Sequence, residues 1–180
     1  MEWLNRQGTV FYIYRDGRDV LCSYQLFRQK FDPDAEGPIG AFIRQDEGGT
    51  NRARRWAEHV QSWLRDPEVH GVQFERLLDQ PKIVIRELAD KLGLNPIWRE
   101  PLLPRPFQSI WQSRWARLFR MRPESTAIIN GARQEWQDTF SAEDRQFFHR
   151  EAGDVLIDLG YVDSAAWVDG RSSDLVDSTS

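Results

Sequence analysis

Cysteine occurs once in this chain, as Cys22, and lysine three times, as Lys30, Lys82 and Lys91. A lone thiol excludes an intramolecular disulfide and any thiolate metal cluster. The three histidines, His59, His70 and His149, show no metal-ligand spacing and fall on three separate predicted elements, so no metal is expected. No apolar run reaches the ~20 residues that a bilayer requires. The opening MEWLNRQGTV contains no apolar core of signal-peptide length. The expectation is a cytoplasmic protein. A net charge of −4 leaves no electrostatic footprint for a nucleic acid or a membrane surface, and neither partner is expected.

What is present suffices for a folded domain. A chain of 180 residues can bury a sizeable core, and its eight tryptophans must be at least partly inside it. Most informative is the run FYIYRDGRDVLCSYQLF, from Phe11 to Phe27. Phe11 to Tyr14 is aromatic and β-favouring, which predicts a buried strand. Arg15, Asp16, Gly17, Arg18 and Asp19 form a charged turn, and Val20, Leu21, Tyr24 and Phe27 then recur at helical spacing. Where the carboxyl end of a strand meets the amino end of a helix, unpaired N–H groups face the crevice and attract anions. Arg15 would stand at that mouth with Ser23 one to two turns into the helix, a pair suited to fork and cap a phosphate. An ordinary solvated turn, with Ser23 facing a neighbouring carbonyl, is the alternative.

Downstream, Asp32 to Thr50 is polar and glycine-containing and reads as a loop, with a short helical piece around Ile39 to Ile43. Asn51 caps a predicted helix to about Arg65, with Trp56, Val60, Trp63 and Leu64 as its apolar stripe. Val69 to Phe74 is a second strand, parallel to the first by the usual crossover. Asp79 and Pro81 start a helix in which Val84, Ile85, Leu88, Ala89 and Leu92 face inward. An irregular proline-bearing connector from Asn95 leads to an amphipathic helix from Phe107 to about Met121. Ser141 and Asp144 have capping-box spacing before a last helix that ends at Gly160. From Asp163 the Ser- and Asp-rich tail, 163–180, is expected to be disordered.

The Arg15 segment resembles the 3′-phosphate-binding segment of the sulfotransferase family, whose sulfuryl donor is 3′-phosphoadenylyl sulfate. The family pattern is a strand, then Arg-Asp/Asn-Pro-Arg/Lys-Asp, then a helix with Ser eight residues after the first Arg. Arg15 and Ser23 keep that spacing, and Gly17 replaces the Pro. VHGVQFERLLDQPKIVIRELADKLGL is similar to the family's strand–Tyr-Glu-Asp-Leu–helix segment, with Phe74 in place of the Tyr that holds the adenine. INGARQEWQDTF resembles the closing motif Arg-Lys-Gly-x-x-Gly-Asp-Trp, in which Gly131 and Trp136 match. Ile129 and Asn130 occupy the family's Arg and Lys positions, and Arg133 is the neighbouring cation that could replace them.

The resemblance implies an α/β fold, with a truncated P-loop-like parallel sheet of few strands and a majority of α-helices, over residues 1–162. It implies donor-binding roles for Arg15, Ser23, Phe74, Gly131 and Arg133, with 3′-phosphoadenylyl sulfate or adenosine 3′,5′-bisphosphate as ligand. The family's 5′-phosphosulfate turn and its usual catalytic His have no counterpart ahead of Arg15 in this sequence. The chain therefore reads as the carboxyl-terminal portion of such a domain, with no catalytic residue assigned. Its acceptor would be a hydroxyl or amine of a small molecule or carbohydrate. Acceptor selectivity would lie in Asp32 to Thr50 and Asn95 to Phe107. An upstream half-domain or a second copy is the expected cover for the sheet edge. Two alternatives stay open: a catalytically inactive nucleotide-binding or interaction remnant, and a kinase-like relative with the same strand–loop–helix layout.

Overall fold

The computed structural model describes residues 8–32, 35–94 and 135–169. They form strand β1 (Val10–Tyr14), helices α1 (Gly17–Arg28), α2 (Ile39–Arg44) and α3 (Arg52–Leu64), and strand β2 (Val69–Gln73). Helices α4 (Phe74–Asp79), α5 (Pro81–Lys91), α6 (Glu135–Thr139) and α7 (Ala142–Asp158) follow, then a 3-10 helix at Ala165–Asp169. Among the described residues the chain is mainly helical with a two-stranded parallel sheet, the α/β class expected from the resemblance. These residues fall into two compact units, 8–13 with 68–94, and 14–32 and 35–67 with 135–169.

In the first unit β1 pairs with β2, and the Phe11 ring lies 5.7 Å from that of His70. Val69 and Val72 of β2 and Val84 and Ala89 of α5 are buried. Strand β1 is only half-buried, and its Ile13 is 55% exposed. This corrects the expectation of a buried strand: among the described residues β1 has one strand neighbour, and aromatic β-propensity reports a strand without reporting what covers it. Phe74 does not end β2 but begins α4, whose Arg76 pairs with Glu87 of α5 at 2.5 and 2.9 Å. In α5, Leu92 lies just past the last turn and is 47% exposed instead of facing inward.

The second unit is built around α3 and α7. Trp56 and Val60 of α3 pack with Phe148, Ala152, Val155 and Leu156 of α7, with the Trp56 and Phe148 rings 5.9 Å apart. Phe42 and Ile43 from α2 and Leu21 and Cys22 from α1 complete the same core. Burying a side chain of this size contributes roughly 1.5–3 kcal/mol. The helix starts follow local chemistry. Asn51 accepts from the Arg54 amide at 2.9 Å. Ser141 and Asp144 make a reciprocal capping box, Asp144 N to Ser141 Oγ at 3.2 Å and Ser141 N to Asp144 Oδ2 at 3.1 Å. Helix α7 ends where Gly160 adopts a φ of 73°.

The tail expected to be disordered from Asp163 begins instead with the 3-10 helix, and Trp167 within it is buried. Its composition is polar, but one indole supplies enough apolar area to anchor a short turn. The connector from Asn95, the helix from Phe107, and residues 170–180 lie outside the described residues.

Candidate functional site

Strand β1 ends at Tyr14, and Asp16 is the residue on which α1 starts, its carboxylate accepting from the Arg18 amide at 2.9 Å. The Arg18 side chain folds back onto the same carboxylate, Nε to Oδ1 at 3.0 Å and Nη2 to Oδ2 at 2.6 Å. Its guanidinium carbon sits 3.9 Å from the ring centre of Trp136 and 4.6 Å from that of Trp167. Nη1 has no hydrogen-bond partner among the described residues, so ring faces replace water around that end of the cation. The turn is thus pinned from inside by a buried ion pair beneath two indoles.

Gly17 is required by close approach. A Cβ at that position would lie 2.4–2.5 Å from atoms of the Trp56 ring. A Pro at this position, as in the family's pattern, would carry the same Cβ into the indole from α3.

Arg15 points along α1. Its Nη1 donates to Ser23 Oγ at 3.3 Å, and its Nη2 lies 3.8 Å from Asp19 Oδ2. Asp19 and Ser23 are four apart and share one face of α1, and the Arg15 side chain reaches both from the turn ahead of it. Because the Ser23 oxygen accepts from Arg15, its own proton is directed elsewhere and can be donated. A planar donor and a hydroxyl at this separation can bind two oxygens of one tetrahedral anion. Asp19 is itself buried and accepts from the Trp136 amide at 3.4 Å, which ties α6 to this face. Cys22 reinforces the same contact, its Sγ lying 3.6 Å from Thr139 Oγ1. With Asp16 beside Arg18 and Asp19 beside Arg15, these four groups sum to zero charge. The cluster offers directed donors.

Of the residues expected to bind donor, Arg15 and Ser23 are brought together. Phe74 is half-buried in the first unit, at the carboxyl end of β2. Gly131 and Arg133 lie outside the described residues, as do Ile129 and Asn130. Asp19, Arg18 and Trp167 were not singled out from sequence. The four-residue spacing of Arg15, Asp19 and Ser23 was the available signal for Asp19, and a tryptophan amid Ser and Asp was the signal for Trp167. Among the described residues no group of His, Cys, Asp and Glu is arranged to hold a metal ion. No helix among them is long and apolar enough to cross a membrane.

The head of α1 thus carries an Arg–Ser pair, and the tryptophan-bearing α6 docks on that helix. Compared with known families, the chain matches the sulfotransferase domain over residues 4–160. It belongs to that family. A search of curated proteins finds no match.

Proposed function

We propose that this chain binds the 3′-phosphate end of 3′-phosphoadenylyl sulfate through Arg15 and Ser23, in support of sulfuryl transfer to a hydroxyl or amine acceptor. The observation that carries the reading is the 3.3 Å approach of Arg15 Nη1 to Ser23 Oγ at the head of α1. In the reaction the bond between sulfur and the phosphate oxygen breaks, and a bond from sulfur to the acceptor oxygen or nitrogen forms. The acceptor proton passes to a base, and adenosine 3′,5′-bisphosphate leaves. The part assigned to this chain's described residues is donor positioning, which supplies rate by holding reactants in register. By resemblance alone, Phe74 stands at the family's adenine-holding position and Gly131 in its closing motif, and Arg133 is the neighbouring cation that would replace the family's basic pair.

A second reading, a catalytically inactive nucleotide-binding or interaction remnant with weakened donor affinity, is favoured by Ile129 and Asn130 at the family's basic positions. Each missing charge-assisted contact removes roughly 1.5–3 kcal/mol of donor affinity. Calorimetric titration of the purified chain with adenosine 3′,5′-bisphosphate, against adenosine 5′-monophosphate and the Arg15→Ala variant, tests the shared phosphate assignment. Tighter binding of the bisphosphate that disappears in the variant supports it. Equal affinities throughout refute it. Release of bisphosphate from the sulfated donor in the presence of hydroxyl or amine acceptors then separates transfer from binding alone.

A further inference from the structure

We propose that Trp167, on the 3-10 helix beyond the family-matched segment, is a positioning residue for the phosphate-binding face of α1. The inference rests on the donor-binding reading above. The matched segment ends at residue 160, so nothing in the family match assigns a role to this indole.

The structure links Trp167 to Arg15 through a short series of contacts, all within the second unit. The Trp167 ring packs edge-to-face on Trp136, centroids 5.4 Å apart at 88°. The Trp136 amide donates to Asp19, and Asp19 stands 3.8 Å from Arg15. A second link runs through Arg18, which lies against both indoles and holds the Asp16 carboxylate that starts α1. Trp167 therefore touches Arg18, which holds the capping Asp16 carboxylate, and the ring of Trp136, whose amide donates to Asp19.

The restraint on Asp19 has a chemical consequence. A carboxylate beside Arg15 competes with a phosphate for the same guanidinium. At 3.8 Å, with the Trp136 amide holding its other oxygen, Asp19 orients Arg15 without closing a tight fork on it. Removing Trp167 deprives Trp136 of its edge partner and opens Arg18 to water. Helix α6 then shifts, the amide contact to Asp19 is lost, and the geometry of that carboxylate against Arg15 changes. The phosphate loses its donor. The effect falls on the 3′-phosphate selectively, because it acts through Arg15.

The test is the ratio of affinities for adenosine 3′,5′-bisphosphate and adenosine 5′-monophosphate, measured by calorimetry on the full chain. Compared are the unaltered protein, Trp167→Ala, Trp167→Leu and Trp167→Phe. A tryptophan that served stability alone would leave this ratio unchanged in the folded protein. The expected result is a fall of about tenfold in preference for the bisphosphate in the Ala and Leu variants, the size of one weakened charge-assisted bond. The Phe variant, which keeps an aromatic edge and face, should stay within about twofold of the unaltered protein on the same scale. An unchanged ratio in folded Trp167→Leu overturns the inference while leaving the donor-binding reading intact. Loss of the fold in both the Ala and Leu variants marks Trp167 as a core residue only and overturns it too. No preference in the unaltered protein sinks the donor-binding reading, and this inference with it.

Discussion

Arg15 donates from Nη1 to the hydroxyl oxygen of Ser23 at 3.3 Å, across eight residues of chain. The two groups meet because Arg15 is the first residue past β1 and its side chain runs along the face of α1 that also carries Asp19. A buried or half-buried pair of this kind is directional, so replacing either member has a defined cost.

Arg15→Ala should weaken adenosine 3′,5′-bisphosphate binding by about 1.5–3 kcal/mol, and Ser23→Ala by about 0.5–1.5 kcal/mol. Arg15→Lys should not restore the loss, since a point charge cannot fork onto two oxygens. Dissociation constants from calorimetry check all three. Tight binding by Arg15→Ala would remove the guanidinium from the site.

Gly17→Ala should lower thermal stability, because the new methyl must displace the Trp56 ring. Forcing a methyl into a packed position costs about 1–3 kcal/mol. The same substitution made with Trp56→Leu should cost much less, so a double-mutant cycle in urea reports the coupling. Additive effects would show that the turn, and not the indole, demands glycine.

The Arg18–Asp16 pair predicts an asymmetry. Arg18→Met leaves a buried carboxylate without its cation and should destabilise by about 3–5 kcal/mol. Arg18→Met with Asp16→Asn, which keeps a side-chain acceptor for the Arg18 backbone amide, should recover a large part of that loss. Urea midpoints at one pH decide it. A double variant no more stable than the single would count against the pair.

Acid should act through Asp144. Burial works against ionisation of its carboxyl, but hydrogen bonds from Arg44 and Ser141 outweigh that and hold it below the usual carboxylate range. A lowered folded value means that the carboxylate contributes stability above the unfolded value of about 4, and that this is lost as pH falls through the folded value. Asp144→Asn should flatten that part of a stability–pH profile and lower stability near neutrality. A slope below pH ~4 identical to that of the unaltered protein would exclude Asp144 as the group responsible.

At the centre of the second unit, Phe148 is fully buried between Trp56 and Phe140, with ring centroids 5.9 Å from each. Phe148→Ala should cost about 3–5 kcal/mol. The denaturant midpoint measures it, and a loss under about 1 kcal/mol would mean the site collapses around the gap.

Much of this molecule is legible without coordinates because its signals are local. Asn51 and the Ser141–Asp144 box announce helix starts through bonds spanning three residues. The β1–α1 junction and the Arg15–Ser23 pair follow from a periodicity change and an eight-residue spacing. What misled was also local. Phe74 has a strand-forming side chain but opens α4, since Glu75 to Leu78 continue in helix-forming residues. A polar tail concealed Trp167 because composition averages over a window and one buried indole does not move the average.

The amino-acid order alone determined most of the helix starts, the family and the pairing of Arg15 with Ser23, all set by neighbours within a few residues along the chain. Only the tertiary structure decided that Trp56 makes residue 17 a glycine, that the Trp136 amide restrains Asp19, and that Trp167 closes over Arg18. Each of those contacts joins residues tens to more than a hundred positions apart. Packing depends on where folded elements meet in space, and no local periodicity encodes that meeting.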